Sequence, residues 1–420
     1  MKKEKQSTTF FGQVLNLVIK GPKIYYWWVG YLIFFVVLGV ICYLIQLNKG
    51  MIVTAMRDQV SWGFYIANFT FLVGVAAAAV YLVIPGYIYK FEDIKEIAVI
   101  GEILAIVAII MAILFVVVDV GRPDRVWHLI PRIGRMNFPV SLLAWDIIAL
   151  NSYLVINVVI AWYIIYNHYH NREPNKAIYW PLILASIPLA VSIHTVTAFL
   201  YNGLAARPFW NSAIIAPRFI ASAFCSGPAL MLIVFQIARR VTNIRITNRA
   251  IFKIAELIAY AMAINLFLLV CEYFKEYYSD TTHIASFKYL YMGLHGKNAL
   301  VPFIWIAILF NIMGFLLLLI PKTRENLITL NIGCILILHG VYIEKGMGLV
   351  IPGFIPDVLG EIYEYTPTFT EFLIGMGIWG FGMLLYTIIL KVAIPIKTGD
   401  FTSSRAETKA DVEEAEGFPA

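Results

Sequence analysis

Four polar residues stand within long apolar stretches of this chain, and their types suit acid–base chemistry. They are Asn68, Asp119, Asp146 and His194. Carboxylates and imidazoles exchange protons near neutral pH when their surroundings tune them. Oxidation of a quinol releases protons together with electrons, so it needs such acceptors and a hydrogen-bond partner for each ring oxygen. These four residues are therefore candidates for a quinol site.

The four residues are also predicted to lie at a similar depth in a membrane. A rise of ~1.5 Å per helical residue puts Asn68 and Asp146 roughly 10 Å from one face. His194 falls in the same third of the membrane, and Asp119 ends its helix at that face. Each has a simpler reading alone: Asn68 as a helix–helix contact, His194 as a satisfied core histidine, Asp146 as an ion-pair partner. Their shared depth favours the joint site, which Trp62, Tyr65, Trp127 and Trp145 could flank.

The elements that position these residues are predicted to be membrane-spanning helices. The chain has 420 residues, of which 60% are hydrophobic and 14% charged, and a spanning helix needs about 20 apolar residues. An all-α integral membrane protein in contact with lipid follows. Nucleic-acid binding has no support, because the basic residues are scattered. The ten predicted helices cover about 24–47, 61–89, 94–118, 139–166, 179–201, 213–238, 250–274, 299–320, 326–343 and 372–394.

The flanking segments and the distribution of charge predict the topology. Segment 10–19 reads as an amphipathic helix on the membrane surface, and 397–420 as a disordered tail. Ten helices put both termini on one side, and that side carries 20 of the 32 Lys and Arg residues. The positive-inside rule then predicts cytoplasmic termini in the cell (inner) membrane.

An internal repeat predicts how the helices are grouped. Tyr65–Asn68 matches 219–222, and 101–105 matches 255–259, at the same offset; the second match pairs Glu102 with Glu256. We expect two parallel four-helix bundles in 61–201 and 202–344. One further helix stands on each side, in 1–60 and in 345–396.

The loop between the third and fourth helices is rich in charge. Arg122, Arg125, Arg132 and Arg135 lie within it. They are expected to cap helices and to dock a partner, with lipid phosphates as an alternative ligand. Asp119 would connect the site to this loop, and Arg122 would orient Asp119 or the docked partner.

The second half offers fewer groups for chemistry. His339 matches His194 in depth, but Glu272 and Glu344 are placed near helix ends as interfacial residues, as are Glu102 and Glu256 at the opposite face. The cysteines lie singly, without CxxC or CxxCH, so no iron–sulfur cluster or covalent haem is predicted in this chain, and no metal site. Two alternatives stay open: a haem b anchor using His194 and His339, and a proton-translocating or transport subunit.

Several motifs resemble the NrfD/PsrC family of quinone-reactive membrane subunits. They are WGFYIANFTFLVGVAAAA (62–79), DVGRPDRVWHLI (119–130), NFPVSLLAWD (137–146) and SIHTVTAF (192–199). Segment 207–233 is similar to the ten-helix branch. Segment 343–368 is similar to the branch found in the sulfite-reduction-associated Dsr complex and to its archaeal Hme counterpart. The family's helix-2 histidine is missing from Gly74–Ala78 here.

The resemblance implies a menaquinone site near the outer face, with menaquinone as substrate and no redox cofactor in this chain. It implies an outer-face, ferredoxin-like iron–sulfur partner and, in the Dsr branch, multihaem cytochrome c and haem b/iron–sulfur subunits. Asp146 and His194 would accept protons and hydrogen bonds. The residues carried over by motif are Trp62, Tyr65, Asn68, Asp119, Arg122, Asp146 and His194.

Overall fold

Ten helices are long and apolar enough to cross a membrane in the computed structural model, which describes residues 10–130, 132–280, 284–357 and 359–403. The predicted all-α architecture with ten spanning helices is confirmed. The helices are α1 (Lys23–Lys49), α2 (Phe64–Ile88), α3 (Ala98–Asp119), α4 (Leu142–Tyr169), α5 (Lys176–Asn202), α6 (Ile215–Val241), α7 (Asn248–Ser279), α8 (Val301–Leu319), α9 (Leu327–Lys345) and α10 (Phe369–Thr398).

Several helix ends differ from the predicted ones because capping side chains set them. α4 begins at Leu142 and not near 139, because the Ser141 hydroxyl accepts a hydrogen bond from the backbone of Ala144. α10 begins earlier than predicted, at Phe369, where Thr368 and Glu371 form a capping box. Such caps satisfy backbone N–H groups that the first turn leaves free.

The helices pack as two groups of four joined along one seam. In the first group, α2 packs on α3 and α5, and α4 packs on α3 and α5. In the second group, α6 packs on α7 and α9, and α8 packs on α7 and α9. The seam is made by α6 against α2 and α5. There Gly227 lets α6 approach closely, since a Cβ atom at this position would lie 3.1 Å from the Val75 carbonyl oxygen.

The two remaining helices pair with each other. In the chain, α1 and α10 stand on either side of the eight bundle helices, but in space they pack together and α10 also contacts α3. Their contact is close because Gly39 faces Gly377: a Cβ atom on Gly39 would lie only 2.6 Å from the Gly377 Cα. Small residues at crossing points allow this approach in membrane proteins.

Both ends of the described chain meet at one face, here called the terminal side. The predicted surface segment is a helix, Phe10–Ile19. The Phe10 ring lies 5.0 Å from that of Tyr169, and Tyr169 also contacts Phe401. The opposite face, which carries segment 120–141, is the Arg-loop side. Of the tail predicted to be disordered, 397–398 belong to α10 and 404–420 lie outside the described residues.

The segment after α9 folds back as a packed cover on the Arg-loop side. It contains the short helices Met347–Val350 and Pro352–Phe354. The buried Trp210 indole donates to the Leu349 carbonyl oxygen at 2.9 Å, and the Ser286 hydroxyl donates to the Ile355 carbonyl oxygen. The cover therefore encloses the ends of helices from both bundles.

The paired glutamates of the predicted repeat have different environments. Glu102 is only 1% exposed, in contrast to the interfacial placement expected for it. Glu256 is partly exposed and binds the side chains of Lys253 and Tyr260. Equivalent positions in the two bundles thus do not share one chemical role.

Candidate functional site

One face of α5 carries three buried polar side chains near the Arg-loop side. His194, Thr197 and Tyr201 follow each other at helical spacing, so they line a single stripe. Each is at most 2% exposed. The periodicity of α5 thus gathers an imidazole and two hydroxyl groups inside the first bundle.

Asp146 meets this stripe from α4. Its side chain is buried, and the Thr197 hydroxyl donates a hydrogen bond to Asp146 Oδ1 at 2.7 Å. Buried carboxyl groups need such partners. Asp146 therefore contacts the helical face that carries His194, through a threonine that the sequence analysis did not select, while a site shared by Asp146 and His194 stays a prediction.

The hydrogen bonding of His194 assigns the tautomer of its ring. Nδ1 lies 2.6 Å from the carbonyl oxygen of Ala190. A carbonyl only accepts, so Nδ1 must carry a proton. In the neutral ring, Nε2 then presents a lone pair, and within the described part of the chain this buried atom has no hydrogen-bond partner.

Aromatic rings pack around the Arg-loop end of α5. Trp62 contacts Tyr201 edge to face, with ring centroids 5.7 Å apart, and also stands 5.6 Å from Trp210. Phe354 from the cover segment packs on Trp210 at 5.0 Å. Trp62 therefore lies beside the polar stripe, as expected, while Trp210 and Phe354 were missed.

Tyr65 and Asp119 form a separate polar group between α1, α2 and α3. The Tyr65 hydroxyl donates to Gln46 Oε1 at 2.8 Å, and Gln46 donates to the Val118 carbonyl oxygen. Asp119 Oδ1 is buried without a partner among the described residues. Asp119 is the last residue of α3, one position after Val118, whose carbonyl oxygen accepts the hydrogen bond from Gln46.

Asn68 does not join Asp146 and His194, so the expected convergence of all four polar groups on one site is wrong for this residue. Its Oδ1 accepts hydrogen bonds from the Trp379 indole at 2.9 Å and from the Tyr342 hydroxyl at 3.1 Å. Its Nδ2 donates to the Phe64 carbonyl oxygen. Asn68 thus links α2 to α9 and α10, which is the helix–helix contact considered as its simpler reading.

Two further expected site residues lie at the surface. Arg122 pairs with Asp124 at 2.9 Å and not with Asp119, so its expected role in orienting Asp119 is wrong. Through this hydrogen bond Arg122 lowers the pKa of the Asp124 carboxyl below its usual value. Trp145 is 41% exposed and its indole donates to the Pro139 carbonyl oxygen. Neither side chain contacts the α5 stripe.

The second bundle holds a buried ion cluster that the sequence analysis missed. Arg218 of α6 pairs with Glu272 of α7 and, at 2.5 Å, with Glu344 of α9. Asn311 of α8 donates to the other oxygen of Glu344 at 2.8 Å. Both carboxylates are at most 5% exposed, so their placement as interfacial residues is wrong. The signal for the cluster was an arginine inside a predicted spanning helix.

The two mid-membrane histidines do not face a common space. His339 has the same local bond as His194, with Nδ1 2.8 Å from the Ile335 carbonyl oxygen, but its side chain is exposed on the outside of α9. His194 is buried in the first bundle. The geometry therefore gives no support to a haem held between these two residues.

The fold and the buried polar stripe define a class, a polytopic all-helical membrane protein with buried polar side chains inside its first bundle. Residues 52–355 match the family model described as "Polysulphide reductase, NrfD". This chain belongs to the NrfD family. The resemblance stated for the sequence is thereby confirmed at the level of the family.

Three curated relatives are similar along most of their length. A selenate reductase subunit of Mesobacillus selenatarsenatis is 24% identical and covers 86% of this chain and 92% of its own. A putative dimethyl sulfoxide reductase membrane subunit of Halobacterium salinarum is 24% identical and covers 85% of this chain and 88% of its own. An Hdr-like menaquinol oxidoreductase integral membrane subunit of Archaeoglobus fulgidus is 24% identical and covers 84% of this chain and 89% of its own.

Proposed function

We propose that this chain is the quinone-reactive membrane subunit of a multi-subunit oxidoreductase, and that menaquinol is its substrate. The observation that carries the proposal is the buried hydrogen bond between Thr197 and Asp146, which lies one helical turn from His194 on the same face of α5. The relatives support it by their names, which are those of a menaquinol oxidoreductase subunit and two reductase subunits.

The side chains can divide the two protons of a quinol between them. His194 keeps its Nδ1 proton on the Ala190 carbonyl and offers Nε2 as an acceptor. Asp146, oriented by Thr197, accepts the second proton. The two electrons leave to a partner subunit that carries iron–sulfur clusters, and the same steps in reverse reduce a quinone. Tyr201 and Trp62 border the place where the head group would lie.

The proposal extends to the setting of the site. The Arg-loop side would face the outside of the cell membrane, with both termini in the cytoplasm. Its exposed arginines would dock a ferredoxin-like iron–sulfur subunit. Sulfur- or sulfite-linked respiration, with multihaem cytochrome c and haem b/iron–sulfur subunits in the same complex, is the narrower form of the proposal and rests on the resemblance of segment 343–368.

The test measures menadiol oxidation by the purified complex, together with binding of the quinol analogue heptyl-hydroxyquinoline N-oxide. We expect His194→Gln and Asp146→Asn to lower the rate by about 100-fold or more, the usual contribution of an acid–base group. His339→Gln is the matched control, because this histidine has the same local bond on the outside of the protein. Asp58→Asn changes an exposed carboxylate. Unchanged rates for both site variants would refute the proposal.

A further inference from the structure

Lys345, at the end of α9, is a buried cation that lies next to the ion cluster of the second bundle. Its side chain is 6% exposed, and Nζ lies 3.7 Å from Glu344 Oε1. Nζ also lies 5.5 Å from the centre of the Phe219 ring of α6. A buried lysine is costly unless it is paired, so this arrangement calls for an explanation beyond packing.

The lysine lines a small cavity on the seam between the two bundles. The cavity measures about 10 Å³, close to the space that one water molecule needs. Ser222 and Ser226 of α6 and Thr70 of α2 contribute to its wall together with Lys345. The second bundle thus presents an ammonium group to a hydroxyl group of the first bundle across a polar space.

Thr70 continues this connection into the candidate quinol site. Its hydroxyl donates to the Ile66 carbonyl oxygen at 2.8 Å. The Thr70 oxygen also lies 2.5 Å from the Tyr201 hydroxyl. Because a threonine has a single proton to donate, Tyr201 must be the donor in that second bond. A lone pair of Thr70 then remains to accept a hydrogen bond from the cavity.

A second, independent contact runs parallel to the first. The Phe219 ring that receives Lys345 lies 5.9 Å from the Tyr201 ring. Lys345 and Tyr201 therefore both lie beside Phe219, and Thr70, which bonds to Tyr201, shares the cavity wall with Lys345. Tyr201 in turn is the last member of the stripe that carries Thr197 and His194.

We propose that Lys345 is a positioning residue for quinol oxidation, acting on the first bundle through Thr70 and Tyr201. This inference rests on the proposed function and deepens it. A lysine ammonium group only donates hydrogen bonds. The hydrogen bonds across the cavity would therefore be donated from the Lys345 side and accepted by Thr70. Its positive charge stabilises the negative charge carried by the proton-accepting groups around Tyr201.

Several ionisable groups surround Lys345 and share its electrostatic field. They are Glu344 on its own helix, Arg218 and Cys225 from α6, Glu272 from α7 through Arg218, and Tyr291 near Arg218 and Glu344. The two carboxylates of this set are balanced by Arg218 and Lys345. Removing the lysine charge therefore leaves a net negative charge behind Tyr201.

The experiment follows menadiol oxidation by the complex as a function of pH. In Lys345→Met we expect the midpoint of the acidic limb to move to higher pH by about one unit, the order of size expected when one charge is removed from a partly buried setting. Lys345→Arg should restore the wild-type midpoint. Thr70→Val, which leaves the ion cluster intact, should shift the midpoint in the same direction. Lys391→Met is the matched control, because Lys391 also lies over an aromatic ring, that of Tyr25, on the terminal side.

The outcomes separate this inference from the function on which it rests. If Asp146→Asn abolishes menadiol oxidation while folded Lys345→Met and Thr70→Val keep the wild-type midpoint, Lys345 has no positioning role. If Lys345→Met does not assemble, Thr70→Val alone decides in the same way. If Asp146→Asn and His194→Gln oxidise menadiol normally, the proposed function fails, whatever the lysine does.

Discussion

The hydroxyl of Thr197 donates to Asp146 Oδ1 at 2.7 Å and thereby joins α5 to α4 inside the first bundle. The hydroxyl group has a single proton and donates it in this bond, so the carboxyl oxygen is the acceptor. The bond holds Asp146 close to the helical face that also carries His194. A threonine with no proton chemistry of its own thus determines where a proton acceptor points.

Replacement of Thr197 by valine tests this relationship. Thr197→Val keeps the shape of the side chain and removes the bond to a charged group, which contributes about 1.5–3 kcal/mol. We expect menadiol oxidation by the complex to fall at least about tenfold, and the variant to lose stability by an amount of the same order as the bond while the complex still assembles. Thr195→Val is the matched control, because that hydroxyl donates to the Val191 carbonyl oxygen at a partly exposed position of α5. Equal rates for the two variants would show that the bond does not orient Asp146 for catalysis.

The ion cluster of the second bundle predicts a large effect on stability. Glu344→Gln leaves Arg218 with a single carboxylate partner inside the bundle, and breaking a buried pair typically costs about 3–5 kcal/mol. Unfolding of the purified protein in detergent, followed by tryptophan fluorescence, measures the change. Glu256→Gln removes a partly exposed carboxylate from Lys253 and should cost less than about 1 kcal/mol. A similar loss in both variants would contradict a structural role for the cluster.

The pairing of α1 with α10 gives a steric prediction. Gly39→Val places a side chain against the backbone of Gly377, where even a Cβ atom would lie at 2.6 Å. We expect the two helices to separate and the midpoint of thermal unfolding to fall. Gly30→Val on the same helix is the control, since a Cβ atom there meets nothing within 4 Å. If both valine variants unfold at the wild-type temperature, the close contact does not stabilise the protein.

The sequence was sufficient to predict the ten helices because each apolar run is long enough to span a bilayer. It also singled out Asp146 and His194, since polar residues inside such runs are rare. Helix ends were harder, because caps such as Ser141 and Thr368 act locally inside segments that still look apolar. Hydroxyl groups, in contrast to Asp146 and His194, are common in membrane helices and do not stand out. The sequence therefore did not single out Thr70, Thr197 and Tyr201.

Long-range packing explains the remaining errors. Depth along a helix placed Glu344 near a membrane surface, but the cover segment folds back over that end and α6 delivers Arg218 to it. Asn68 was also assigned to the site by depth, but its side chain accepts a hydrogen bond from Trp379 of α10. The position of a residue along its helix gives its distance from the membrane surface. Which neighbour the residue faces depends on how helices that are distant in the sequence pack.

The orientation of the protein in the membrane rests on charge, and labelling can test it. The side predicted to carry the termini has 20 of the 32 Lys and Arg residues. This asymmetry favours cytoplasmic termini.

The experiment uses a variant without the native cysteines and adds one cysteine on each face. In intact cells, a membrane-impermeant maleimide should label Asp124→Cys on the Arg-loop side, because this exposed position would face the outside. Arg172→Cys, exposed on the terminal side between α4 and α5, should react only after permeabilisation. The reverse pattern would place the Arg loop in the cytoplasm. It would then move the proposed iron–sulfur partner to that side, while leaving the contact between Thr197 and Asp146 unchanged.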